Sequence, residues 1–149
     1  MRRSVRARSG RRVRTAYSSA VSPSPGRGKD LPGTHHRVVI VGAGFSGIAM
    51  AVKLREAGIE DIVILERAHD VGGTWRDNRY PGCACDVPSR LYSLSFAQKS
   101  TWSRDYASAG EIWDYLRECV DRFSLRDHVH TGVDVTSAHW TGDQWHVTA

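Results

Sequence analysis

Residues 37–51 read Arg37-Val38-Val39-Ile40-Val41-Gly42-Ala43-Gly44-Phe45-Ser46-Gly47-Ile48-Ala49-Met50-Ala51. Four β-branched residues run directly into glycines spaced G-x-G-x-x-G. An Ala-rich helical pattern follows over residues 46–57 and closes at Gly58. A glycine at 42 lets the chain turn tightly out of a strand. One at 44 leaves no Cβ in the path of a pyrophosphate, and one at 47 lets the new helix pack against the strand. The unpaired N–H groups and the dipole at the helix start then favour phosphate charge.

A second apolar stretch, Asp61-Ile62-Val63-Ile64-Leu65-Glu66, predicts a second strand ending in an acid. Glu66 falls 19 residues after Gly47, against roughly 20 for the carboxylate that accepts ribose hydroxyls. Glycine motifs alone are common. Strand, helix, second strand and acid together favour an adenine-dinucleotide site over an ordinary βαβ turn with a surface Glu. The same carboxylate repels a 2′-phosphate of about two negative charges. The expectation is therefore the ADP half of FAD or NAD, and not NADP.

The chain has 149 residues, the length of one domain. Its formal net charge of +5 is unevenly spread. Residues 1–37 hold ten of the 21 Lys and Arg and one of the 16 acids, which leaves 11 bases against 15 acids in the remainder. The remainder is mildly acidic, so no nucleic-acid partner is expected. Residues 1–36 are rich in Arg, Ser, Pro and Gly and poor in large apolar side chains. Such a stretch buries too little surface to offset its ordering entropy, and is read as a disordered basic leader. Its Arg- and Ser-rich, acid-poor make-up is that of an organelle transit peptide. An extension upstream of the natural start is the preferred reading, and a nucleic-acid-binding arm is the third. No stretch approaches the ~18 apolar residues of a membrane-spanning helix. Three cysteines, Cys83, Cys85 and Cys119, make neither a zinc pattern nor a disulfide framework. Reduced thiols, no metal and a cytoplasmic location are the expectation.

Residues 67–82 are crowded with Gly, Asn, Asp and Pro, and a loop of this length is usually functional. Tyr92, Leu94 and Phe96 alternate with Ser93 and Ser95, which predicts a short extended piece. Ser108 followed by Glu111 predicts a capping box. Ile112, Leu116, Cys119 or Val120, and Phe123 then make one apolar helix face. Residues 129–140 and 144–148 read as two strands joined by a Thr141-Gly142-Asp143 turn.

The blocks Gly72-Gly73-Thr74-Trp75, Asn78-Arg79-Tyr80-Pro81-Gly82, Cys85-Asp86-Val87-Pro88-Ser89 and Tyr92-Ser93-Leu94-Ser95-Phe96 resemble the N-terminal part of Baeyer–Villiger monooxygenases, which are class B flavin-dependent monooxygenases. With the leading glycine motif, the resemblance covers residues 37–149. It implies an α/β, Rossmann-like FAD-binding domain with a βαβ start, then a helix and β-strands, incomplete at the C-terminus. It further implies FAD in this site and NADPH as electron donor. The reaction would use O2 and a small-molecule ketone or related substrate, inserting oxygen beside the carbonyl.

Residue by residue, the resemblance makes Gly42, Gly44, Phe45, Ser46, Gly47, Glu66 and Arg67 contacts of the ADP half. Gly73, Thr74, Trp75, Arg76 and Asp77 fall along the flavin, Tyr92 is a further FAD contact, and Val135 lies on the strand that meets the adenine. Asp86 matches a catalytic acid near flavin and nicotinamide that supports an Arg. Ala84 departs from the Arg found in many members. Members run to three or four domain lengths on the usual prior, whereas a second glycine motif for NADPH is absent by Ala149. The chain is therefore expected to be an FAD-binding portion, inactive alone. An N- or S-oxygenating class B enzyme and a noncatalytic dinucleotide-binding remnant are the rival readings.

Overall fold

The computed structural model describes residues 13–15 and 35–149. Strands β1 (Val13–Thr15), β2 (His35–His36) and β3 (Val38–Val41) lead into helix α1 (Phe45–Glu56). Strand β4 (Ile62–Glu66) is followed by the single-turn helix α2 (Thr74–Asp77) and the long helix α3 (Ala109–Arg122). Strands β5 (Val129–Thr131), β6 (Ser137–Trp140) and β7 (Trp145–Thr148) complete the order.

β3, β4 and β5 form a parallel sheet in that order, with Val38 opposite Ile62 and Ile64 opposite Val129. A parallel pair requires a crossover, and α1 supplies it between β3 and β4. This is an α/β Rossmann-like arrangement. All five residues of β4 are buried, as expected of a parallel strand covered on both faces. Its side chains alternate between two cores. Ile62 and Ile64 join Ile48, Ala51 and Val52 of α1 and Leu116, Cys119 and Val120 of α3. Val63 and Leu65 face Val147 of β7, with Val39, Val133 and Val135 around them. A second sheet, ordered β2-β1-β7-β6, thus closes the face opposite the helices.

The strand read over residues 129–140 is two elements. Val133 N–H bonds Glu66 O and Thr136 N–H bonds Thr148 O, so the chain leaves one sheet and enters the other between them. The extended piece expected over residues 92–96 is a run of turns, entered by a 3-10 turn at Ser89–Leu91. Leu94 and Phe96 nevertheless pack on the main core. Ser108 caps α3 by accepting the Glu111 N–H at 3.3 Å. The Glu111 carboxylate instead accepts from Ser103 N–H and Oγ–H, so the reciprocal half of the capping box is not made.

Residues 13–15 and 35–36 of the stretch read as a disordered leader lie in strands. The rest of that stretch, and the readings attached to it, fall outside the described residues.

Candidate functional site

The turn between β3 and α1 is built on glycine for geometric reasons. Gly42 has φ +92°, and a Cβ on Gly47 would stand 2.0 Å from Gly42 O. The Gly42 N–H bonds Leu65 O at 2.8 Å, which ties the turn to the end of β4. α1 begins with no side-chain cap on its N–H groups and no acid in its first turn. Its positive end is therefore open to an anion.

A second glycine segment faces the first. Gly72 N–H bonds Ala43 O at 2.9 Å. Gly73 has φ +52°, and a Cβ there would lie 3.3 Å from Gly44 Cα. Two backbones without side chains thus approach each other, and the space beside them stays open on both sides. One side is a cavity of about 350 Å³ reaching Phe45, Ser46, Gly47, Trp75 and Tyr92. The other, of about 430 Å³, reaches Glu66, Arg67, Arg76, Asp77, Val133, Asp134 and Val135. Both are lined by Val41, Gly42, Gly44, Gly73 and Thr74, so together they form one groove.

At the first end, Tyr92 meets Phe45 and Trp75 edge-to-face at 5.2 and 5.4 Å between ring centroids. The Trp75 Nε1–H donates to Tyr92 Oη at 3.2 Å. These rings make an apolar wall with fixed orientation. At the other end Glu66 is buried. One carboxylate oxygen accepts the Ala43 N–H at 2.8 Å, and the other accepts the Ala68 N–H at 2.9 Å and Arg76 at 3.1 Å. Burial pushes the Glu66 carboxyl up. The Ala43 and Ala68 N–H groups and the Arg76 guanidinium outweigh it, leaving the group below the ordinary carboxylate value. Arg76 is buried as well. Its bidentate bond to Asp77 raises it despite burial, helped by Glu66. This end carries three acids (Glu66, Asp77, Asp134) and two bases (Arg67, Arg76).

The structure therefore brings together Gly42, Gly44, Phe45, Ser46, Gly47, Gly73, Thr74, Trp75 and Tyr92 at one end, and Glu66, Arg67, Arg76, Asp77 and Val135 at the other. Asp86 is exposed and lines neither cavity. Its segment is anchored to residues 105–107 through Cys85 N–H to Ala107 O and Ser89 N–H to Asp105 O. Val133 and Asp134 were not singled out in the sequence reading. Their signal is weak, since only the β5 pairing brings them beside Glu66. Cys83, Cys85 and Cys119 are free thiols. Among the described residues no group of three or more His, Cys, Asp or Glu is placed to hold a metal. Among them also, no helix is long and apolar enough to cross a membrane.

The profile of the NAD(P)-binding Rossmann-like domain family matches residues 40–118. A Baeyer-Villiger monooxygenase of Streptomyces coelicolor is 51% identical over 110 residues, 74% of this chain and 21% of that protein. Among solved structures, cyclohexanone monooxygenase bound to ε-caprolactone superposes with TM-score 0.68 at 44% identity, over 74% of this chain and 23% of that one. OTEMO in complex with FAD and NADP superposes with TM-score 0.68 at 36% identity, over 74% and 22%. The chain spans about a fifth of the length of these relatives.

Proposed function

The chain belongs to the Baeyer–Villiger monooxygenase family as its N-terminal Rossmann portion, and from that membership we propose that its groove holds FAD. The observation that carries this is the pair of facing glycine segments between an aromatic end and a carboxylate end. The residues present fit the group. The bare Gly42–Gly44 turn and the uncapped start of α1 suit a pyrophosphate. Glu66 keeps one lone pair for a ribose hydroxyl, on the oxygen that holds the turn through Ala43. Val133 and Val135 offer an apolar wall to the adenine, and Arg67 an exposed cation beside it. Phe45, Trp75 and Tyr92 exclude water at the opposite end, where the flavin would lie.

When bound, FAD supplies the redox chemistry by which the whole protein, with NADPH and O2, would insert oxygen beside a ketone carbonyl. We assign this reaction to the whole protein and none of it to residues 1–149 alone, which hold one glycine motif of the required spacing. The role of Asp86 as a catalytic acid rests on the family resemblance, since the residue stands outside the groove. A cytoplasmic location, with reduced Cys83, Cys85 and Cys119, accompanies this reading.

The groove reading is tested by calorimetric titration of the purified protein with FAD, ADP and 2′-phospho-ADP. FAD and ADP are expected to bind, and 2′-phospho-ADP at least tenfold more weakly, because acids outnumber bases at the Glu66 end. Absence of FAD binding, or equal binding of the phosphorylated analogue, overturns it.

A further inference from the structure

The second glycine wall of the groove is held from several sides: Val71 is buried in the main core, and the Gly72 and Gly73 carbonyls accept N–H groups of α2. Residues 70–73 form a strap between β4 and α2, and helix α3 grips it at three points. The Trp113 Nε1–H donates to Val71 O at 2.7 Å. The Arg117 Nε–H donates to Asp70 Oδ2 at 2.8 Å. The Trp113 ring lies so close to Gly72 that a Cβ there would stand 2.5 Å from Trp113 Cδ1 and 2.8 Å from Nε1. Arg117 also lies over the Trp113 ring, 3.6 Å from its centroid. The guanidinium thus joins the Trp113 ring to Asp70 of the strap, and the ion pair holds it over that ring.

The strap in turn sets the groove. Gly72 N–H bonds Ala43 O, inside the G-x-G turn, and Gly73 abuts Gly44. A displacement of Val71 or Gly72 is therefore passed within two residues to the narrowest part of the groove. Gly72 has φ +124° and no side chain of its own to anchor it. Its backbone bonds Ala43 and Trp75, and the side chain that packs against it comes from a residue some forty positions later in the chain.

We propose that Trp113 is a positioning residue for the dinucleotide groove, holding the strap at the separation from Gly44 that the pyrophosphate requires, with Arg117 locking its ring. This rests on the reading of the groove as the FAD site. Trp113 lines neither end of that groove, so it acts through Val71 and Gly72 and touches no part of the dinucleotide.

The test compares two variants of the purified protein. Trp113→Phe keeps a ring against Gly72 and loses the N–H that bonds Val71 O. Tyr115→Phe, on the same helix, keeps the ring that packs 6.0 Å from Phe45 and loses a buried hydroxyl that joins Leu94 N–H and Ala97 O. FAD affinity, the visible-region circular dichroism of the bound flavin and the apoprotein melting temperature are measured for each. Trp113→Phe is expected to weaken FAD about tenfold, the scale of one lost buried hydrogen bond, and to change the flavin dichroism. Tyr115→Phe is expected to match or exceed its loss of melting temperature while keeping FAD affinity within about twofold and the dichroism of the parent. Unchanged affinity and dichroism in Trp113→Phe, or equal affinity losses in the two variants, overturn the proposal. If the parent protein itself binds no FAD, the groove reading fails first, and the two failures are told apart.

Discussion

At the scale of single residues, Gly47 and Glu66 carry the argument. Gly47 is a packing requirement: its absent Cβ is the space occupied by Gly42 O, at 2.0 Å. Gly47→Ala is expected to force the turn open, lower stability by about 1–3 kcal/mol and abolish FAD retention, read from urea unfolding and from flavin absorbance after gel filtration. Glu66 combines burial with three donors, and its carboxyl sits below the ordinary value of 4.5. The stability it contributes is thus fully present above that value and is lost as pH falls through the lower folded-state value. Glu66→Gln is expected to cost ~3 kcal/mol at neutral pH, because the buried Arg76 loses its buried carboxylate partner and keeps the Asp77 ion pair and the Asp70 carbonyl. The gap between parent and variant in urea midpoint should be constant from pH 7 to about 5 and close at lower pH. The spacing from Gly47 singled out Glu66 as a candidate ribose acid. Its second role, holding the Ala43 N–H and Arg76, lay beyond sequence reading because it depends on how α2 folds back over β4.

At the scale of elements, local signals survived where one interaction sufficed and failed where two elements had to meet. The α3 start was legible from Ser108, whose side chain caps the Glu111 N–H. Ser108→Ala is expected to cost about 0.5–1 kcal/mol, at the low end for a cap because the bond is 3.3 Å long. A thermal melt showing no loss would mean that Ala109 N–H to Cys83 O alone suffices to fix the helix entry. Alternation over Tyr92, Leu94 and Phe96 read as an extended piece because all three side chains pack half-buried against the cores. The backbone instead satisfies itself in turns, with Ala97 N–H on Leu94 O. Residues 129–140 carry strand formers at Val129, Thr131, Val133, Val135, Thr136 and Trp140, interrupted by Gly132 and Asp134. The break at residues 132–136 shows in the sequence only as Gly132, which takes φ +74°, because its course is set by partners in two different sheets. Trp113 lies outside the apolar face read over Ile112, Leu116, Cys119 or Val120, and Phe123, and nothing in its local pattern announces the strap across from it.

At the scale of the whole molecule, the groove is where separate parts of the chain converge. The glycine turn, β4 and its acid lie within one short βαβ unit. The wall at Val133–Val135 depends on β5, whose Val129 pairs with Ile64, 65 positions away. This division has a temporal consequence. Closing a loop of that length is slow relative to forming a helix or an adjacent strand pair. A chain that has just formed β3, α1 and β4 would hold the glycine turn without the Val133–Val135 wall. A dinucleotide would then recognise only the late, completed state, and would act on the return journey. Saturating FAD or ADP in stopped-flow experiments is expected to leave the refolding rate unchanged and to slow unfolding by about the full factor of its stabilisation. Faster refolding in its presence would mean that the early unit already seizes its ligand.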